Sequence, residues 1–119
     1  MIRVAIVDDH EIVRRGLRMT ILGEEDMALV GEATNGVEAV QLAAAQRPDV
    51  LLLDIQMPEM DGLAAADEIL RTQPDMSILI LTSFDNDAKL YAALKAGVTG
   101  YLLKDTSGDE LVAAIRGAA

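Results

Sequence analysis

Five polar residues lie directly after short apolar segments, and their types define the chemistry available to the chain. They are Asp8, Asp9, Asp54, Thr82 and Lys104. If the apolar segments are strands of one parallel sheet, these side chains meet at the carboxyl ends of the strands, where open α/β sheets bind ligands. Clustered carboxylates favour a hard divalent cation such as Mg²⁺. A lysine and a hydroxyl beside them suit the oxygens of a phosphoryl group, so the set indicates phosphoryl chemistry.

Asp54 is the acid best placed to accept a phosphoryl group itself. It ends the segment Val50–Asp54, whose four aliphatic residues between Pro48 and Pro58 are typical of a central strand buried on both faces. A carboxylate there can act as a nucleophile and form an aspartyl phosphate. The residues alone leave open whether Asp54 is a nucleophile, a metal ligand or a helix cap.

The elements that must position these residues alternate between strand and helix. Aliphatic and β-branched runs predict strands at Ile2–Val7, Met27–Ala33, Val50–Asp54, Ile78–Leu81 and Tyr101–Leu103. Helical periodicity and stop signals predict helices at about 11–22, 36–46, 62–73, 88–96 and 108–119. Five such units predict a five-stranded parallel sheet with helices on both faces, a flavodoxin-like (βα)5 fold of the α/β class. We expect one domain over residues 1–119.

Several remaining polar residues have the spacing of helix caps rather than of a site. These positions are Asn35, Asp61, Asp85 or Asn86, and Ser107, which begins a capping box ending at Glu110. In the first helix, we expect Arg14, Arg15 and Arg18 to form a solvated face. We expect the single histidine, His10, to be solvated or to cap that helix.

Composition narrows the possible partners. Twenty acidic and ten basic side chains give a formal net charge of −10, so this segment is a poor nucleic-acid binder by itself. No apolar run approaches the length of a membrane span, and we expect no membrane association. The chain has no cysteine, which fits a cytoplasmic location and excludes thiol chemistry.

The motifs resemble, over the whole chain, the receiver domain of two-component response regulators. The resemblance rests on Val7-Asp8-Asp9-His10, Leu53 to Gly62, Leu81-Thr82-Ser83 and Gly100 to Lys104. Further segments resemble NarL/FixJ-type (LuxR-tailed) regulators, namely Arg14 to Leu17, Gly31 to Ala33 with Asn35-Gly36, and Lys104-Asp105. Such regulators usually carry a C-terminal helix-turn-helix DNA-binding domain, and we expect one in the full-length protein. DNA would then be a partner only through that domain.

The resemblance implies a role for each site residue. Asp54 would be the phosphoacceptor for a phosphohistidine on a sensor histidine kinase. Mg²⁺ would be bound by Asp8, Asp9, Asp54 and the backbone carbonyl of Gln56. Lys104 would pair with the phosphoryl oxygens.

Two residues would form the conformational switch that the resemblance implies. Thr82 would hydrogen-bond the phosphoryl group, and Tyr101 would move from an exposed to a buried rotamer. We also expect a homodimer on phosphorylation.

Ile12, Arg15 and Met19 form a stripe at helical spacing beside the site, and we expect this stripe to help dock the kinase.

Three positions bear on the comparison with the family. Asp105 stands where many receivers have proline after the lysine, which leaves the geometry of that peptide bond open. We expect Gln56 and Phe84 to influence the lifetime of the phosphoryl group.

Other classes of function fit the residues less well. A Mg²⁺-dependent phosphohydrolase with Asp8 as nucleophile normally needs an acid two residues later, where this chain has His10. A nucleotide or flavin binder would need a glycine-rich turn after the first strand. A phosphate-independent interaction module is disfavoured because the five site positions are intact. We therefore expect a domain that catalyses only its own phosphorylation and dephosphorylation, with no independent substrate turnover.

Overall fold

A computed structural model describes residues 1–57, 59–83 and 88–119, with only the backbone of Lys89. The strands are β1 (Ile2–Val7), β2 (Met27–Ala33), β3 (Val50–Asp54), β4 (Ser77–Thr82) and β5 (Gly100–Leu103). The helices are α1 (Glu11–Leu22), α2 (Gly36–Gln46), α3 (Gly62–Thr72), α4 (Ala88–Ala96) and α5 (Gly108–Ala118). The predicted alternation of strand and helix is confirmed. No helix in this part of the chain combines the length and the apolar character that crossing a bilayer requires.

The five strands form one parallel sheet in the order β2-β1-β3-β4-β5. In the sheet, β2 lies on one side of β1, and β3, β4 and β5 lie on the other side. The strand order therefore reverses between β1 and β3, which is where such sheets bind ligands. Asp8 follows β1 and Asp54 ends β3, so the topology places both acids beside this reversal.

Two apolar cores cover the two faces of the sheet, and β3 contributes to both. Leu51 and Leu53 pack in the core formed with α2, α3 and α4, whereas Val50 and Leu52 pack in the core formed with α1 and α5. Adjacent residues of a strand point to opposite faces, so a strand buried on both faces must be apolar throughout. The aliphatic run before Asp54 is explained by this double burial, and the predicted fold class is confirmed.

Three predicted helix caps are present. Asn35 accepts a hydrogen bond from the Glu38 amide, Asp61 from the Ala64 amide, and Ser107 from the Glu110 amide. The capping box differs in one respect from the prediction, because the Glu110 carboxylate accepts from the Thr106 hydroxyl at 2.7 Å. The predicted caps Asp85 and Asn86 lie outside the described residues.

Candidate functional site

Acidic side chains gather at the carboxyl ends of β1 and β3. Asp8 and Asp54 are buried, with 0% and 1% of their surface exposed, whereas Asp9 is exposed. Asp8, Asp9, His10 and Asp54 each offer one ligand atom, and these four atoms lie within 4.8 Å of one another. Carboxylate oxygens at this separation are the donors that a hard divalent cation prefers.

Lys104 lies opposite the two buried acids. Its Nζ is 3.1 Å from Asp8 Oδ2 and 3.0 Å from Asp54 Oδ2. Apart from this ammonium, neither oxygen has a hydrogen-bond partner among the described residues, so Lys104 balances their charge without saturating them. Two such oxygens fit a bound cation, because buried acceptors of this kind are rarely left without a strong partner.

Burial and charge shift the pKa values of this group. Burial is the main cause that raises the pKa of Asp54 to about 6, helped by the charge of Asp8 and opposed by Lys104. Burial lowers the pKa of Lys104, but the hydrogen bonds and charges of Asp54 and Asp8 outweigh it and leave that pKa raised. Lys104 is therefore a cation at neutral pH, and Asp54 is mostly an anion.

A small cavity opens beside the acids. Its volume is about 90 Å³, enough for about three waters or a group of similar size. The cavity is lined by His10, Asp54, Ile55, Gln56, Thr82, Ser83 and Lys104. Thr82 is 1% exposed at the end of β4, and its backbone carbonyl accepts a 2.8 Å hydrogen bond from the Lys104 amide. This hydrogen bond thus joins the ends of β4 and β5 beside the acids.

Two glycines hold the loop between β3 and α3 in place. The Gly62 amide donates to the Ile55 carbonyl and the Gly36 amide to the Met60 carbonyl, each at 2.9 Å. A Cβ at Gly62 would overlap the Asp54 carbonyl, and one at Gly36 would overlap the Met60 carbonyl. These approaches require glycine, and they fix the loop that carries Gln56, whose amide lies 3.2 Å from Asp54 Oδ1.

Tyr101 lies apart from the acids, on the edge strand β5. It pairs with Ile80 of β4, and its side chain is 43% exposed. Its side chain is therefore exposed in this structure, and its role in a switch stays a prediction. The Lys104-Asp105 peptide is trans.

The structure corrects the predicted solvation of Arg14, whose side chain is mostly covered, whereas Arg18 remains partly exposed. Both contact Glu32 of β2: Arg18 makes two bonds of 2.7 and 2.8 Å, and Arg14 Nε lies 3.6 Å away. Arg14 also donates from Nη1 to the Asp8 carbonyl at 2.8 Å. The sequence does not predict these pairs, because Glu32 is distant from both arginines along the chain. Only the register of β2 in the sheet brings Glu32 close to α1. An acid in an otherwise apolar strand was the only signal in the sequence.

His10 is close to the acids, although its place in the sequence predicts a solvated or capping residue rather than a site residue. Its Nδ1 lies 3.2 Å from Asp8 Oδ1 and 3.1 Å from Asp9 Oδ1, and its side chain is 63% exposed. It occupies the N-cap position of α1 but makes no side-chain capping bond. The expected solvation is present, whereas the expected cap is not.

Comparisons with known proteins agree on one family. A profile of the response regulator receiver domain matches residues 4–116. The transcriptional regulatory protein LiaR of Bacillus subtilis is 45% identical over 118 residues, which are 99% of this chain and 56% of LiaR. The response regulator VraR of Staphylococcus aureus is 42% identical over 115 residues, covering 97% of this chain and 55% of VraR. The chain spans about half the length of the curated relatives it matches.

Solved structures give the same result. The NarL receiver domain of Mycobacterium tuberculosis superposes with a TM-score of 0.89 at 36% identity, covering 98% of this chain and 94% of that one. The response regulator domain of Thermotoga maritima CheB gives a TM-score of 0.92 at 32% identity, with coverages of 99% and 96%. The resemblance to NarL-type regulators is confirmed. Because the receiver profile extends over nearly the whole chain, this protein belongs to the response regulator receiver family of two-component systems.

Proposed function

We propose that Asp54 accepts a phosphoryl group from the phosphohistidine of a sensor histidine kinase. The observation that carries this proposal is the pair of buried oxygens, Asp8 Oδ2 and Asp54 Oδ2, that both face the Lys104 ammonium at about 3 Å. Asp8, Asp9, Asp54 and the backbone carbonyl of Gln56 would hold Mg²⁺, which supplies charge neutralisation for the incoming phosphoryl oxygens.

The transfer needs only positioning and charge from this chain. An Asp54 carboxylate oxygen attacks phosphorus, the P–N bond to the kinase imidazole breaks, and its electron pair returns to the imidazole nitrogen. The product is an acyl phosphate on Asp54. Lys104 follows the negative charge as it moves from the carboxylate to the phosphoryl oxygens, while the walls of the small cavity limit access of water.

The output is a shift between two conformations. A phosphoryl group on Asp54 favours the active state only through contacts that are better in that state, here with Thr82 and Lys104. Movement of the Thr82 loop toward the phosphoryl group would make room for Tyr101 to turn inward. The bond between the Lys104 amide and the Thr82 carbonyl supports this coupling, because it joins the two strand ends.

The kinase would dock on α1 beside the acids. Ile12 is 84% and Met19 69% exposed, and Arg15 lies between them on the same helical stripe. Exposed apolar residues in such a stripe are typical of helix recognition. The test replaces Arg15 with Glu and Met19 with Ala. We expect kinase-dependent phosphorylation to fall while labelling by acetyl phosphate is retained; loss of both reactions, or of neither, would remove α1 from the proposal.

We propose that the biological output is carried by a further domain. Relatives such as LiaR are named as transcriptional regulatory proteins. We infer that a C-terminal DNA-binding domain follows this one and that the protein regulates transcription in the cytoplasm. A homodimer formed on phosphorylation is part of the same proposal. Sedimentation at several concentrations, with and without a phosphoryl mimic, would reject it if the species stayed monomeric throughout.

Intact mass spectrometry tests the central step. Wild type and Asp54→Asn are incubated with acetyl phosphate, with Mg²⁺ or with EDTA. We expect one phosphoryl adduct on wild type with Mg²⁺, sensitive to hydroxylamine and absent in the other samples. An adduct that persists in Asp54→Asn would move the nucleophile to Asp8 or Asp9. Absence of any adduct, also with a cognate kinase, would favour a phosphate-independent module, and multiple turnover of a phosphate ester would favour a phosphohydrolase.

A further inference from the structure

Arg14 is a partly buried cation that contacts the backbone of a site residue. Its side chain is 15% exposed, although it belongs to a surface helix. The guanidinium Nη1 donates to the Asp8 carbonyl at 2.8 Å, and Nε lies 3.6 Å from the Glu32 carboxylate. A guanidinium is a rigid planar fork, so contacts with two partners fix its orientation.

Asp8 lies beyond the last paired residues of β1 and β3, Val7 and Leu53, and needs other contacts to fix its position. Its amide donates to the Ala33 carbonyl of β2 at 3.1 Å. Its Oδ1 accepts from the His10 amide at 2.8 Å. Arg14 adds the third contact, on the carbonyl side of the same residue. Contacts on both the amide and the carbonyl of Asp8 therefore fix the position of its carboxylate above the sheet.

Glu32 and Arg18 support Arg14 from behind. Glu32 lies on β2 in register with Ile6 of β1, directly beneath α1. Arg18 binds the Glu32 carboxylate through Nε and Nη2 at 2.7 and 2.8 Å. Two parallel bonds of this kind hold a carboxylate in one orientation. The ion pair thus fixes the acceptor that Arg14 Nε faces.

We propose that Arg14, held by Glu32, is a positioning residue that sets the Asp8 carboxylate for binding of a divalent cation. The inference rests on the proposed function, since it concerns the affinity of the Mg²⁺ site. Arg14 touches neither the cation nor the phosphoryl group, and it acts through the Asp8 backbone. Residues that orient a metal ligand typically change metal affinity about 10- to 100-fold when they are replaced.

The sign of the effect separates positioning from simple electrostatics. Arg14 is a positive charge close to a site for a positive ion, so its charge alone weakens cation binding. Removing it should strengthen Mg²⁺ binding if charge is all that matters. If Arg14 positions Asp8, removing it should instead weaken Mg²⁺ binding.

The experiment compares Mg²⁺ affinities by calorimetric titration of the whole domain. We expect Arg14→Gln to weaken Mg²⁺ binding about tenfold. Arg71→Gln on α3 is the control: it removes the same charge from an exposed helical position whose ion pairs are with Asp67 and Glu68, away from Asp8 and Glu32. We expect its affinity to stay within about twofold of wild type or to rise slightly. Arg14→Lys keeps the charge but lacks the fork, and we expect binding about threefold weaker.

A second measurement follows adduct formation from acetyl phosphate as Mg²⁺ is raised. For Arg14→Gln we expect a higher Mg²⁺ requirement with a limiting rate close to that of wild type. Equal or tighter Mg²⁺ binding in Arg14→Gln, or an equal loss in Arg71→Gln, would overturn the proposal. If Arg14→Gln fails to fold, Arg14→Lys decides in the same way. Failure of wild type to bind Mg²⁺ would instead contradict the proposed function itself.

Discussion

The ammonium of Lys104 lies 3.0 Å from Oδ2 of Asp54, a carboxylate oxygen with almost no exposed surface. Lys104 reaches it from the end of β5, and the same Nζ is 3.1 Å from Asp8 Oδ2. The charge balance of the buried acids therefore depends on a residue from the far edge of the sheet. A bound divalent cation and Lys104 must share the same carboxylates.

Replacing Lys104 with Met should separate metal binding from phosphorylation. We expect Mg²⁺ to bind about two- to tenfold more tightly, because a neighbouring positive charge is removed. Adduct formation from acetyl phosphate should become slower, because the phosphoryl oxygens lose their cation. Calorimetric titration and intact mass measure the two effects, with exposed Lys95→Met on α4 as the control. Weaker Mg²⁺ binding in Lys104→Met would show that the lysine organises the acids rather than competing with the ion.

Asp54 should reduce the stability of the metal-free domain in a pH-dependent way. Its pKa in the folded protein is about 6, above the ordinary value of 3.8, because burial disfavours the charged form. Above pH 6 the folded state therefore carries the full penalty of an ionised, buried Asp54. The penalty falls as pH drops below 6, and it vanishes below the unfolded value.

Asp54→Asn tests that relation. In EDTA at pH 8 we expect the variant to be more stable than wild type by about 1–3 kcal/mol, from about 1.4 kcal/mol per pKa unit. The difference should shrink toward zero near pH 4. Urea unfolding at both pH values measures it. A constant difference across this range would mean that the gain comes from packing rather than from the charge of Asp54.

Sequence patterns were sufficient to predict the fold, because the pattern within each segment agrees with the alternation of strand and helix along the chain. The aliphatic run of β3 needs burial on both faces, and only a central strand between two helical layers provides it. The positions of Asp8, Asp54, Thr82 and Lys104 follow from their places after consecutive parallel strands. Because the strands are parallel, their carboxyl ends and these residues lie at the same edge of the sheet, whatever the details of side-chain packing.

The contacts around Arg14 could not be predicted in this way. They depend on how β2 aligns with β1, and the register shifts between Val4 and Ala5. This irregularity determines which residue of β2 lies beneath α1, and no local sequence pattern predicts it. The partner of Glu110 was likewise uncertain, since a carboxylate at that position can reach either neighbouring residue at the start of α5.

Gly36 and Gly16 should respond in opposite directions to the same substitution. A Cβ at Gly36 would overlap the Met60 carbonyl, so we expect Gly36→Ala to lower the free energy of unfolding by about 2–4 kcal/mol. Gly16 lies inside α1 with nothing within 4 Å of an added Cβ. We expect Gly16→Ala to raise stability by about 0.5–1 kcal/mol. Chemical denaturation measures both, and a tolerated Gly36→Ala would show that the loop between β3 and α3 can move away from α2.

Tyr101 can report the proposed switch directly, because the chain has two tyrosines and no tryptophan. In a Tyr91→Phe background, Tyr101 is the single tyrosine, and its 43% exposure makes its fluorescence accessible to acrylamide. We expect beryllofluoride with Mg²⁺, a mimic of the phosphoryl group, to reduce quenching by about two- to threefold as the ring turns inward. Thr82→Val should suppress this change if the Thr82 hydroxyl contacts the mimic as proposed, because the hydroxyl is lost while the volume is kept. Unaltered quenching in a sample that demonstrably binds the mimic would separate Tyr101 from the switch, and an unchanged response in Thr82→Val would assign the coupling to Lys104 alone.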